Sequence, residues 1–100
     1  MAPIEYSHFP ELSEPDAGQI RALLELEMEK ILRHHPLARM HVDFKVIEHK
    51  GIKAKREIHC VVSGPKIRLQ VHDSSFNPVL SVKAICKKLS NELGHVERKN

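Results

Sequence analysis

Histidine is the residue type that could take part in the widest range of chemistry in this sequence, which has eight histidines in 100 residues. Three of them, His41, His59 and His72, alternate with apolar residues in strand-like segments, and three histidines can hold a catalytic zinc ion. The sequence, however, has no HxH, HExxH or Cys/His spacing of the kind that metal sites use. We therefore interpret these three residues as exposed sheet residues and rank a zinc- or histidine-dependent hydrolase last among three functions.

Other catalytic patterns are also missing from the sequence. It has no GxSxG, no phosphate-cradling glycine loop and only four glycines. Cys60 and Cys86 lack a CxxC spacing, and each falls on the apolar side of a predicted element, so we expect two buried, unpaired thiols. We predict that the protein is not an enzyme and has no catalytic residue, metal, cofactor or small-molecule substrate.

Basic residues give the strongest functional signal. Residues 1–48 have 5 Lys and Arg against 9 Asp and Glu, a net charge of −4, whereas residues 49–100 have 11 against 4, a net charge of +7. Such asymmetry favours a basic surface that faces an anionic partner. The candidate RNA-binding residues lie on the last helix, at a predicted hairpin tip and near the end of the first helix: Lys83, Lys87, Lys88, Arg98, Lys50, Lys53, Lys55, Arg56 and Lys30.

The elements that carry these residues follow from periodicity. Residues 4–9 suit a short edge strand, because prolines flank them. A capping-box pattern at Ser13 opens a helix whose apolar residues recur at helical spacing until Pro36. Segments 39–48, 55–63 and 66–72 alternate with period two, and 49–54 would form a basic hairpin tip. Asn77 and Pro78 open the last helix.

The resulting order, β-α-β-β-β-α, predicts an α+β fold. Each helix has one apolar side and the sheet has one apolar face, so we expect both helices on one face of a mainly antiparallel four-stranded sheet. A chain of this length predicts one domain, residues 1–100. It has neither an apolar run long enough to span a membrane nor a secretory signal, which predicts a cytoplasmic protein without a membrane partner.

Two passages resemble the ribosome hibernation promoting factor family, also called ribosome-associated translation inhibitors. Residues 77–89, NPVLSVKAICKKL, and the later Leu93 are similar to that family's opening of its second helix, which typically has Asp-Pro-Tyr, Ala-Ile-Asp and Asp-Lys-Leu steps. Residues 29–31, Glu-Lys-Ile, resemble its Lys-Leu step near the end of the first helix. The strand order and the basic tip at residues 49–54 match as well, so the likeness covers almost the whole chain.

The resemblance implies a ribosome-associated stress-response factor that binds rRNA of the small ribosomal subunit near the decoding region. Such a factor blocks the path of mRNA and tRNA, inhibits translation and promotes ribosome hibernation. Because this chain stops at Asn100, it resembles the short form of the family. Small-subunit rRNA, and not DNA, is the expected partner.

Departures from the family pattern are Val79 for Tyr, Lys83 for Asp, Asn91 for a basic residue and Glu92 for Gln. The second-ranked function is a double-stranded-RNA-binding-like module that acts off the ribosome, because α-β-β-β-α is also the order of that fold. That family has a Lys-Lys cluster where its second helix opens, whereas here the lysines come two turns later.

Overall fold

The computed structural model describes residues 3–98, with the side chains of residues 3–95. Its elements follow the predicted order: β1 (Ile4–Ser7), α1 (Glu14–His34), β2 (Arg39–Lys50), β3 (Lys53–Gly64), β4 (Ile67–Ser75) and α2 (Pro78–Arg98). The α+β prediction is confirmed. No helix in the described range is long and apolar enough to cross a membrane.

Helix α1 begins and ends where the sequence predicted. The Ser13 hydroxyl accepts a hydrogen bond from the Asp16 amide at 3.4 Å, which satisfies one amide of the first turn that has no partner within the helix. The last turn ends at His34, where the His35 amide donates to the Ile31 carbonyl at 2.8 Å. Pro36 cannot supply the amide that another turn would need.

The four strands form one sheet in the order β1-β2-β3-β4. β1 pairs in parallel with β2, and the two remaining pairs are antiparallel. β1 therefore lies at an edge, as its flanking prolines predicted. The sheet is mixed and mainly antiparallel, because the α1 crossover connects β1 to β2 whereas tight turns connect the other strands.

Residues 49–54 form the tip of the β2–β3 hairpin, as predicted, but the strands are longer than predicted, because four of these six residues are paired. Pairing continues to Lys50 opposite Lys53, which leaves a turn of only two residues. Gly51 has a φ of +62° and Ile52 does not have a positive φ, the arrangement of a type II′ turn. A register shift between Val46 and Glu48 precedes this segment. We call residues 47–55, which extend beyond the ends of β1 and β4, the β2–β3 ribbon.

Both helices pack on one face of the sheet, and all eight strand residues predicted to face them are buried: Met40, Val42, Phe44, Ile58, Cys60, Ile67, Leu69 and Val71. The buried leucines of the helices, Leu24, Leu89 and Leu93, belong to the same apolar cluster. Leu26 points away from that cluster and is 58% exposed, as its helical position predicted. The opposite face of the sheet, which we call the open face, has no helix on it within the described residues.

The two helices run parallel to each other. The Cys86 thiol donates to the Leu23 carbonyl at 3.6 Å, and one turn later the Ser90 hydroxyl donates to the Glu27 carboxylate at 3.0 Å. Because the paired positions advance together, both helices begin at the same end of the molecule. The base of the β2–β3 ribbon lies near the N-terminus of α2, because Arg56 and Asn77 line one surface cleft. The ribbon therefore begins at the same end of the molecule as both helices.

Candidate nucleic-acid interface

The outward surface of α2 presents a row of cations that have no ion-pair partner among the described residues. Lys83 and Lys87 are exposed and one helical turn apart, and the exposed Asn91 continues the row one turn later. Lysines spaced by one turn project from the same side of a helix. Since no carboxylate neutralises Lys83 or Lys87 here, both ammonium groups can bind phosphate without first breaking an internal contact.

Leu80 adds an apolar residue to the beginning of this row. It lies one turn before Lys83 and is 57% exposed, although its neighbours Val79 and Ser81 are buried. The predicted apolar side of α2 did not include this residue. The α2 row, defined as Leu80, Lys83, Lys87 and Asn91, is therefore a basic surface with one exposed leucine at its N-terminal end.

Lys88 does not belong to the α2 row. Its ammonium group donates to the His72 carbonyl at 2.5 Å and lies 3.4 Å from the Asp73 carboxylate. β4 is an edge strand, and its outward carbonyls have no strand partner. Lys88 thus satisfies one of these carbonyls and ties α2 to the sheet, which gives it a structural role that helical spacing did not predict.

Lys30 also has a partner inside the molecule. Its ammonium group lies 3.1 Å from the carboxylate of Glu27, which is buried between the helices. The Ser90 hydroxyl contacts both oxygens of the same carboxylate at 3.0 Å. A buried carboxylate needs such partners to offset its lost hydration. Lys30 remains half-exposed, but its charge is already shared with Glu27.

The β2–β3 ribbon and its base carry the other predicted cations. Lys50 and Lys53 face each other beside the turn and are exposed, whereas Lys55 and Arg56 are partly buried. Within the described residues none of these four forms an ion pair. Lys53 and Arg56 line the cleft that also contains Asn77 and Pro78, so these two cations lie close to the N-terminal end of the α2 row.

The predicted contact residues therefore divide by structural setting. Lys83 and Lys87 lie free on α2, Lys50, Lys53, Lys55 and Arg56 lie on or beside the ribbon near the same end, and Lys30 and Lys88 have internal partners. Arg98 is the last residue of α2, and its side chain lies outside the described part of the chain.

The histidines of the open face do not converge on one point. His59 and His72 are cross-strand neighbours with ring centroids 5.6 Å apart. His41 lies apart from them and contacts Ser7 at 2.9 Å and Glu5 at 3.7 Å. It pairs with Val61, one pleat away from the row that contains His59. No group of three or more metal-ligating side chains with suitable geometry occurs in the described range.

The two cysteines are unpaired and buried, as predicted. Burial, with a smaller contribution from the neighbouring Cys86, raises the pKa of Cys60 to about 12. Burial and the nearby Glu27 carboxylate together raise the pKa of Cys86 to about 11. Both groups therefore remain thiols at neutral pH, whereas a nucleophilic cysteine has to be a thiolate.

Comparisons with known proteins identify solved structures that have the same fold. No family model matches this sequence, and a search of curated proteins finds no match either. Among solved structures, a ribosomal subunit interface protein from Coxiella burnetii is similar over 95% of this chain and 97% of its own, with a TM-score of 0.61 and 19% identity. The N-terminal domain of Thermus thermophilus Protein Y covers 97% of this chain and 94% of its own, with a TM-score of 0.54 and 13% identity.

The chain shares its fold with these two proteins. Their similarity agrees with the resemblance to the ribosome hibernation promoting factor family that the sequence indicated. Because identity is below one fifth in both, the comparison supports the arrangement of the elements and does not assign the role of any residue.

Sequence reasoning missed several residues in and beneath the candidate interface. Glu27 and Ser90 were missed because their contact joins two helices distant in sequence, although a lone acidic residue among helix-core positions is a readable signal. Leu80 had a signal too, since it departs from the spacing of its apolar neighbours. No sequence pattern indicated that Lys88 contacts the edge strand β4.

Proposed function

We propose that this protein binds the small ribosomal subunit through rRNA contacts, inhibits translation and promotes ribosome hibernation under stress, in the cytoplasm. The observation that carries the proposal is the fold shared, over 95% of the chain, with a protein described as a ribosomal subunit interface protein. The whole chain, residues 1–100, would act as one ribosome-binding domain. Its site would lie near the decoding region, where it would block mRNA and tRNA.

Free cations support an RNA partner. Lys83 and Lys87 on the α2 row, together with Lys50 and Lys53 at the ribbon turn, have no ion pairs within the described residues. Such lysines neutralise phosphates, release counterions and position the protein without reading bases. Lys55 and Arg56 would assist at the ribbon base, and Arg98 would extend the α2 surface. Lys30 and Lys88 would contribute less, because each already has an internal partner.

Sedimentation of cell lysates tests the proposal. The wild-type protein should sediment with ribosomal fractions in a sucrose gradient, and the double variant Lys83→Glu/Lys87→Glu should move to the top. This pair is preferable to one that includes Lys88, because replacing Lys88 would also expose the His72 carbonyl. Higher salt should release the wild type as well, because counterion release supplies most of the binding free energy.

A charge-matched control separates a specific surface from a change in net charge. Arg33→Glu/Lys66→Glu alters two exposed cations outside the predicted set and should leave the protein in ribosomal fractions. Purified wild-type protein should inhibit translation of a reporter in a cell-free system, and the Lys83/Lys87 variant should not. Ribosome binding that survives both the Lys83/Lys87 variant and high salt would show that the α2 row is only a solvated surface.

The double-stranded-RNA-binding-like module makes a different prediction in the same assays. That function requires retention of a free RNA duplex and no sedimentation with ribosomes. The parallel edge strand β1, which precedes α1, is an element that the α-β-β-β-α order lacks. We therefore keep the ribosome as the proposed partner.

A further inference from the structure

The open face carries an ordered row of histidines. Strand register aligns Asp43 of β2, His59 of β3 and His72 of β4 directly across the sheet. His8, just after β1, contacts Asp43 at 3.0 Å and extends the row to the sheet edge. Adjacent strands are about 4.8 Å apart, so these side chains form a line across the sheet.

Each part of this surface combines histidine with carboxylate. His8 contacts Asp43, His59 hydrogen-bonds Glu57, and His41 lies 3.7 Å from Glu5 in the next row. All four histidines, including His72, are exposed. An anionic partner can therefore reach each of the four rings.

The fixed charges on this face cancel. Strand alternation between the pairs Arg39–Ser63 and Lys45–Glu57 places three cations and three carboxylates on it: Arg39, Lys45, Arg68, Glu5, Asp43 and Glu57. Beyond the register shift, Glu48 and Lys55 are cross-strand partners of opposite charge, so they add no net charge. With neutral imidazoles the face therefore has no net charge, and protonation of the four histidines would give it a charge of +4.

We propose that the open face is a second phosphate-contacting surface for RNA, which becomes positively charged when His8, His41, His59 and His72 take up protons. The inference rests on RNA being the partner and deepens that proposal, because it names a second contact surface and the condition that activates it. Histidine is the side chain that gains charge between about pH 8 and pH 5, whereas carboxylates stay ionised until roughly pH 4.

The geometry favours a phosphodiester chain over other anions. Imidazolium rings 5.6 Å apart at His59 and His72 repel each other, and a phosphate between them would accept a hydrogen bond from each. Arg39 and Arg68 flank Ser63 at one end of the face and would extend the contacts along the same strand direction. The strand residues of this face in the described range include no Phe, Tyr or Trp, so backbone contact fits it better than base stacking.

Fluorescence anisotropy with a fluorescein-labelled RNA hairpin tests this surface at constant ionic strength. Wild-type affinity should rise on the order of tenfold from pH 8.0 to pH 5.5, and the salt slope should steepen by about two if two further phosphates are engaged. The variant His8→Gln/His41→Gln/His59→Gln/His72→Gln should match the wild type at pH 8.0 and lose most of the rise. A full rise in this variant would overturn the proposal.

Controls keep the outcomes distinct. His49→Gln/His95→Gln removes two exposed histidines that lie off this face and should keep most of the rise. His59→Gln/His72→Gln makes fewer changes and should lose about half, which guards against misfolding of the fourfold variant. An equal pH response with polyglutamate in place of RNA would overturn the choice of partner. Failure of the ribosome assays at neutral pH would refute the proposed function and leave the pH response as a separate measurement.

Discussion

Helices α1 and α2 have the same length, 21 residues, and pack in parallel on the same face of the sheet, yet their outer surfaces differ in charge. α1 contains five acidic and three basic residues, whereas α2 contains two acidic and four basic residues. On α1, Lys30 is paired with Glu27 and Arg21 lies 4.3 Å from the centre of the Phe9 ring. On α2, Lys83 and Lys87 have no such partner within the described range.

This difference shows that packing and binding place separate demands on a helix. The buried sides of α1 and α2 are both apolar, because each must cover the same sheet face. Their solvent sides are free to diverge, and only that of α2 carries exposed lysines one turn apart without internal partners. The α2 row is therefore a property of the outer surface of α2, and it can be changed without disturbing the core.

The largest expected effect contrasts two leucines of α2. Leu89 is fully buried and Leu80 is 57% exposed. Leu89→Ala should lower the free energy of unfolding by about 2–5 kcal/mol, whereas Leu80→Ala should change it by less than about 0.5 kcal/mol. Urea unfolding followed by circular dichroism measures both. Similar losses in the two variants would contradict the assigned orientation of α2.

A second contrast concerns two glutamates of α1. Glu27 is buried and contacts Ser90 and Lys30, whereas Glu29 is exposed. Glu27→Ala should cost roughly 1–3 kcal/mol, because hydrogen bonds to a charged group are lost. Glu29→Ala should be nearly neutral in the same urea titration. An equally small effect at both positions would mean that Glu27 does not join the helices.

The start of α1 should show a smaller effect. Ser13→Ala removes the hydroxyl that accepts from the Asp16 amide and should cost about 1 kcal/mol. Ser13→Asp should restore most of that stability, because aspartate also accepts from the first-turn amides. Thermal unfolding of the three proteins gives the order, and a Ser13→Ala protein as stable as wild type would exclude this cap.

The last effect concerns the thiols and appears only in alkali. Burial raises the pKa of Cys60 to about 12 from 9.0, so the folded state keeps this proton when the unfolded state has lost it. Ionisation therefore favours unfolding, and stability should fall as pH rises above about 9. Urea titrations at pH 8 and pH 10 should show a smaller fall for Cys60→Val than for wild type. Reductant should leave the wild-type curve at pH 8 unchanged.

Local patterns predicted most of the fold. Ser13 with Pro15, and Asn77 with Pro78, determined where the helices begin, and period-two alternation identified the buried residues of β2, β3 and β4. We predicted shorter strands in the ribbon because the basic residues from Lys50 to Lys55 are typical of a loop. Cross-strand pairing and a glycine turn instead hold them as strands. The candidate interface was predicted less completely, because contacts such as Lys88 with His72 join distant segments.

The sequence by itself determined most of the apolar residues that are buried, since apolar periodicity follows directly from the geometry of helices and strands. It also determined that the second half of the chain is basic. Only the tertiary structure decided which cations are free, because an ion pair depends on which elements become neighbours. It likewise separated His41 from His59 and His72, since strand register, and not the number of histidines, determines which side chains lie next to each other.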